Sequence, residues 1–365
     1  MGRDSNIHSK AQFKAEFAKR LENISVTDNL SQEETTKILR GLFDFVIENV
    51  PTQLFRFRKC GKYAFDAFKQ GEIQMCVASR FSDKNDSRFY YDYASLSERL
   101  KPIYCDLIPL VLFALISSPS HFADVPLKEK LIRLTETEFL PKEVFVEMIV
   151  EYRSVFDIIK QYIEKYMLYP RDNKDIHISC FTEDVTSKFM WDTYADGYKG
   201  FALEYNFKDW YISENKWNQQ SSVDLFPIIY SSEKYNATKM LDAFCINSLH
   251  TLINDFYKNH FGSFIKKLPF DTLSLFKAYL YKDKKEYAHE KEWRLLSLRY
   301  SDDKQDFSNI SDLGFLKAIY YGPDITKRNK TILSNIAREK GIIEYDVAID
   351  ENSKQYKLKI IPIKS

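Results

Sequence analysis

With 44% hydrophobic residues in a chain of 365, there is enough apolar material for a full core, and the length admits one large domain or two. The 53 basic and 52 acidic residues nearly cancel, which excludes the long-range field of a dedicated nucleic-acid binder and leaves room only for a local basic groove. Five cysteines with no Cys-x-x-Cys pair exclude a disulfide framework and a zinc knuckle, and they fit a reducing, cytoplasmic setting.

In chain order, the opening MGRDSNIHSKAQFK has no apolar signal core, and residues 1–50 read as an N-terminal helical extension. Ser31 and Glu34 frame a Ser-x-x-Glu capping box ahead of Ile38, Leu39, Leu42, Phe45 and Val46, which predicts a helix from about 32 to 49. Gln53 to Lys59 alternates as a strand, Tyr63 to Gln70 is helical, and Gly71 releases the chain into a strand from Glu72 to Ala78.

From about 95 to 170 the periodicity predicts a helical insertion, a candidate homo-oligomer surface. Its apolar run Leu107 to Ile116 is broken by Pro109 and is too short to span a bilayer, so no membrane partner is expected.

Ile176 to Phe181 and Gly200 to Phe207 read as strands around a helix at Lys188 to Ala195, with further helices near 236–258 and 271–283. Arg294 to Tyr300 and Leu316 to Tyr321 look extended, and Thr326 and Gly341 bracket a helix. Ile342 to Ile349 and Tyr356 to Ile363 then form a closing antiparallel pair. Strands scattered among helical segments imply an α+β fold: residues 51–365 form one domain around a mixed, mainly antiparallel sheet assembled from distant segments.

Three segments carry chemistry. The first, Leu54 to Ser87, brings Arg56 and Arg58 on one strand face, then Phe81, Asp83 and Asp86. An Asp pair three apart can orient a substrate, hold a metal, or close a turn by side-chain to backbone bonding. The second, Ile178 to Phe207, holds Trp191 and Tyr194 on a short helix, followed by an Ala-Asp-Gly-Tyr-Lys-Gly turn expected to bring backbone N–H groups near a ligand. The third, Tyr287 to Ser297, places Glu290, Glu292 and Arg294 at period two on a strand face, as an ion-pair ladder or as a carboxylate aimed into a cleft by its arginine.

In order and spacing these segments resemble the bacterial domain of unknown function 2971 family. Phe81, Asp83 and Asp86 match its Phe-Asn-Asp-Pro-Phe-Asp element, although Ser82, Lys84 and Asn85 depart from it. Met190, Trp191 and Tyr194 match Met-Trp-x-x-Tyr, and Tyr287, Glu290, Glu292 and Arg294 match an aromatic-x-x-Glu-x-Glu-x-Arg pattern.

The order Arg56, Tyr194, Glu292 is also similar to the three-motif site of ADP-ribosyltransferases. That second resemblance implies an NAD-using enzyme, a toxin or anti-phage defence effector that modifies a protein or nucleic-acid target. In it Arg56 positions the nucleotide, Tyr194 stacks on the nicotinamide, and Glu292 stabilises charge at the ribose. Two alternatives stay open. One is a magnesium-dependent nuclease built on Asp83, Asp86, Glu290 and Glu292. The other is a non-catalytic recognition module for a ligand or nucleic acid. The leading reading calls for no metal.

Overall fold

A computed structural model describes residues 10–27, 29–95, 98–99, 169–208, 223–244, 246–247, 268–269, 271–298, 305–311 and 315–363. The predicted insertion at 95–170 therefore lies almost wholly outside the described residues, as does the part of the 236–258 helix beyond 247.

Two helices open the chain, α1 (Lys10–Asn23) and α2 (Gln32–Asn49), and the capping box at the start of α2 forms as expected, with Glu34 Oε2 accepting from the Ser31 N–H at 2.9 Å. Strand β1 (Leu54–Arg58), helix α3 (Lys62–Gln70) and strand β2 (Glu72–Val77) follow, Gly71 ending α3 in the left-handed conformation. Next come β3 (Phe89–Tyr90), α4 (Tyr169–Asp172), β4 (Ile176–Thr182), α5 (Lys188–Tyr194) and β5 (Phe201–Tyr205).

Beyond them lie β6 (Val223–Pro227), β7 (Ile229–Ser231) and β8 (Tyr235–Asn236). The stretch 271–283, read from sequence as one helix, is instead a short helix α6 (Leu273–Lys277), a single 3₁₀ turn and a strand β9 (Tyr281–Asp283). Parallel pairing of Ile229 with Tyr281 and of Ser231 with Asp283 draws that end into extended form, overriding its local helical periodicity. Helix α7 (Lys284–Tyr287), β10 (Glu292–Leu298), β11 (Phe307–Ser311), β12 (Leu316–Tyr321), α8 (Lys327–Lys340), β13 (Ile343–Ile349) and β14 (Leu358–Pro362) complete the order.

The fold is α+β, built on a mixed, mostly antiparallel ten-stranded sheet. Its main path runs β11-β2-β4-β1-β5-β12-β13-β14, and β12 to β13 is its one parallel step. Strand β4 is the junction. One of its edges is shared, with Ile178 facing Cys76 of β2 and Thr182 facing Phe55 of β1. Its other edge pairs with the whole of β10, from Glu292 opposite Thr182 to Leu298 opposite Ile176, and β6 lies beyond β10.

Helices α1 and α2 pack onto this sheet: the Phe13 ring stacks on Trp293 at 5.9 Å between centroids, and Phe17 and Phe45 join the same core. A second apolar cluster gathers Phe55, Phe57, Trp191, Ala202, Ala318 and Tyr320. Among the described residues, no helix is long and apolar enough to cross a membrane.

Candidate functional site

Register in β10 sets the site. Pairing Glu292 with Thr182 and Arg294 with Cys180 puts both side chains where β4, β1 and β10 meet, and Trp293 between them points the other way into the core under α1. Glu290 is not on the strand, contrary to the period-two reading. It closes a 3₁₀ turn, and Lys291 (φ +48°) takes the left-handed conformation between the two glutamates. A non-glycine residue in that region is uncommon and is held there by its surroundings. Here the hydroxyl of Thr182 donates to the Glu290 carbonyl at 2.5 Å, and the Lys291 ammonium reaches Asp184 at 2.8 Å.

Both glutamates nevertheless turn to one cation. The Lys282 ammonium, on β9, donates to Glu290 Oε2 at 2.5 Å and to Glu292 Oε2 at 2.9 Å. The Tyr194 hydroxyl donates to the remaining Glu290 oxygen at 2.7 Å. On the far side Arg294 Nε donates to Glu292 Oε1 at 2.8 Å, and its fork grips Asp86 at 2.8 and 2.5 Å while Nη1 also meets the Tyr279 carbonyl at 2.7 Å. The result is one continuous relay, Tyr194–Glu290–Lys282–Glu292–Arg294–Asp86, drawn from all three motifs and from β9. Sequence reasoning missed Lys282, because the helical periodicity assigned to 271–283 hid its strand and its direction.

The relay is almost dry. Glu290, Glu292 and Asp86 are each 3% exposed and Arg294 is fully buried. Burial opposes the charge on Glu292, but Arg294 and Lys282 outweigh it and hold its carboxyl well below the usual carboxylate range. Burial likewise opposes charge on Arg294 and Lys282, and their carboxylate partners win in both cases, fixing the two as cations. The Tyr194 and Tyr230 phenols are raised by burial and then by the nearby glutamates. Burial and then Glu292 also push the Cys180 thiol well up, so it is a poor nucleophile. Three carboxylates, of Asp86, Glu290 and Glu292, stand against the two cations, Lys282 and Arg294, a formal excess of one negative charge.

The segment carrying Asp86 is pinned from behind. The buried Arg171 guanidinium donates to the carbonyls of Phe81 and Asp83 at 2.9 and 2.7 Å, and Ser87 (φ +56°) bonds Asp86 through its hydroxyl. Asp83 itself closes a turn, its carboxylate accepting from the Asn85 N–H at 2.8 Å, and lies on the wall of a cleft. Phe81 lies under the Arg294 guanidinium, 5.3 Å from centroid to Cζ. The cleft has a volume of about 310 Å³ and reaches the relay at Asp86 and Lys282.

Two of the residues singled out from sequence lie elsewhere. Trp191 is fully buried on the other core cluster, edge-on to Phe57, with its indole N–H bonded to the Val185 carbonyl at 2.6 Å. Arg56 reaches from β1 to β2, where it donates to the Gln74 carbonyl at 2.5 Å, and Arg58 bonds the Gln74 side chain. Burial, and then Arg56, push Arg58 down to about 9. The geometry brings Tyr194 and Glu292 together through Glu290 and Lys282, while the hydrogen bond of Arg56 goes to Gln74 and not to a relay residue. The turn after Tyr194 uses its N–H groups internally, Gly197 to Asp192 and Gly200 to Ala195, rather than offering them to a ligand.

What Tyr194 does offer is its ring. It is 37% exposed, and the neighbouring Phe189 ring, 40% exposed, stands edge-on to it at 6.3 Å and to His289 at 4.2 Å. Two part-exposed aromatic side chains thus stand beside a buried negative excess, Tyr194 joined to it through its hydroxyl.

The family model described as "Protein of unknown function (DUF2971)" matches residues 190–295, a stretch holding every relay residue except Asp86. The resemblance to that family holds across this segment. No curated protein and no solved structure matches the chain.

Proposed function

We propose, for this chain with its DUF2971 segment, an NAD-using enzyme of the ADP-ribosyl-transfer type, with the Tyr194–Glu290 end of the relay as its reacting centre. The observation that carries the reading is the excess of one carboxylate, in a nearly dry site, at the hydroxyl end of the part-exposed Tyr194. A flat cationic ring such as the nicotinamide of bound NAD gains from an aromatic side chain and from a negative field close by. When the glycosidic bond breaks, nicotinamide leaves with the bonding pair and positive charge spreads over the ribose carbon and ring oxygen. Fixed carboxylates in a dry site stabilise such charge without having to reorganise. A nucleophile of the macromolecular target then bonds to that carbon and gives up its proton.

In this reading the residue nearest the reaction is Glu290, with Glu292 and Lys282 fixing its charge and position. Arg56 has no part in it. The magnesium-nuclease alternative is disfavoured by the Lys282 ammonium, which already occupies the space between Glu290 and Glu292 where a divalent ion would sit. A recognition module is the second reading, and it draws on the fact that both oxygens of Glu290 and of Glu292 are already engaged. Incubation with NAD separates the two. The enzyme reading expects nicotinamide release that Glu290→Gln abolishes, and a protein that binds NAD but never releases nicotinamide, with any candidate target present, is a module.

A further inference from the structure

The cleft beside the relay is walled by a cation with nothing to hold. Arg88 follows Asp86 and the left-handed Ser87, so the backbone that aims Asp86 inward at Arg294 sends Arg88 to the cleft wall. Its Nε atom is buried without an acceptor, and among the described residues the guanidinium makes no hydrogen bond and no ion pair. Leaving a buried charged donor unmatched is destabilising.

The cleft's acids do not satisfy it. Asp86 is taken by Arg294, Asp83 closes its turn on the Asn85 N–H, Asp283 caps α7 by accepting from the Glu286 N–H at 3.0 Å, and the two remaining acids of the wall, Glu233 and Glu286, are exposed to solvent and make no ion pair with Arg88. Lys234, exposed at the rim, reaches Asn85 at 3.3 Å and joins Arg88 and the glutamate-bound Lys282 as a positive charge on the cleft. A planar guanidinium fork with an ammonium nearby matches the oxygens of a phosphoryl group.

We infer that Arg88, with Lys234, binds a phosphoryl group of the substrate, so that the cleft takes a nucleotide with its phosphates on this wall and its reacting end toward Tyr194. The inference rests on the proposed function for the identity of the reacting end. It adds a charge requirement to the substrate: positive or neutral at the relay and anionic at Arg88.

Calorimetric titration of the full chain with ADP-ribose, nicotinamide riboside and inorganic phosphate tests this without turnover. Arg88→Ala is expected to weaken ADP-ribose roughly tenfold to a hundredfold, the scale of one charged hydrogen bond, and to leave the phosphate-free riboside unchanged. Arg88→Lys keeps the charge, loses the fork and falls between, which covers the case in which the alanine variant does not fold. The inference is overturned if wild type does not bind ADP-ribose, if Arg88→Ala binds it as tightly as wild type, or if the riboside weakens equally. Inorganic phosphate binding as tightly as ADP-ribose marks a free-anion site and overturns the nucleotide assignment. Arg88-dependent ADP-ribose binding in a protein that releases no nicotinamide overturns the catalytic reading and leaves this one standing. Nicotinamide release with an unaltered KM for NAD in Arg88→Ala does the reverse.

Discussion

Replacing Lys282 with methionine removes the one cation that holds Glu290 and Glu292 together. Its ammonium lies 2.5 Å from one carboxylate and 2.9 Å from the other, and the three side chains are 7%, 3% and 4% exposed, so water cannot substitute for it. Breaking a buried ion pair from one side costs about 3–5 kcal/mol, chiefly because the abandoned charge stays buried. Glu292 keeps Arg294, while among the described residues Glu290 keeps only the Tyr194 hydroxyl, so the uncompensated charge falls on Glu290.

At about 2 °C per kcal/mol for a chain of this size, Lys282→Met should melt roughly 6–10 °C below wild type in differential scanning fluorimetry. Adding Glu290→Gln should restore much of that loss, because the double variant no longer buries an unpaired carboxylate. A Lys282→Met protein melting within about 2 °C of wild type, with no recovery in the double variant, would refute the relay as an interacting unit.

Other outcomes follow from the same geometry. Because Glu292 is held below its ordinary value of 4.5, its ion pairs contribute fully above that value and are lost only as pH falls beneath it; melting temperature should therefore show no loss from this group between about pH 8 and pH 5. Tyr194→Phe leaves a buried Glu290 oxygen without its donor and should cost about 1–3 kcal/mol in urea unfolding. Gly200→Ala should fail to accumulate as folded protein in a solubility assay, since the added carbon would lie 2.2 Å from the Arg58 carbonyl, a backbone atom that cannot swing aside. Burial raises the Cys60, Cys76 and Cys180 thiols, Cys60 to about 11, so mass-mapped alkylation of these three at neutral pH should be slow until the protein is denatured.

Local chemistry made much of the fold readable. Ser31 with Glu34, Thr326 with Gly341, and the alternation through Leu316 to Tyr321 act within a turn or a strand, and each element formed where its residues predict. The convergence of Glu292 and Arg294 was readable for the same reason, as two positions on one strand face. Three features required knowledge of distant partners. Lys282 becomes visible only once β7 pairs with β9, which nothing within 271–283 announces. Lys291 adopts a left-handed conformation that no glycine or asparagine advertises, and that moves Glu290 off the strand while still aiming it at Lys282. Arg56 and Arg58 were expected to share a face, but which neighbour that face meets depends on β1 and β2 sharing one edge of β4. That pairing directs both arginines to Gln74.

The Asp83–Asp86 pair divides along the same line. Asp83 acts locally, as its turn chemistry predicts, and Asp86 acts across 208 positions through Arg294. Sequence could place the two three residues apart and could not say which of them turns inward.

The central claim is that the relay is a working electrostatic site and not a brace. Steady-state nicotinamide release by wild type and Glu290→Gln, each checked for folding by its melting temperature, tests it most directly. Removing the carboxylate that accepts from the Tyr194 hydroxyl should lower kcat by roughly a hundredfold to a thousandfold, the worth of one preorganised transition-state contact, while KM for NAD changes little. A folded Glu290→Gln protein with the kcat of wild type would contradict the account.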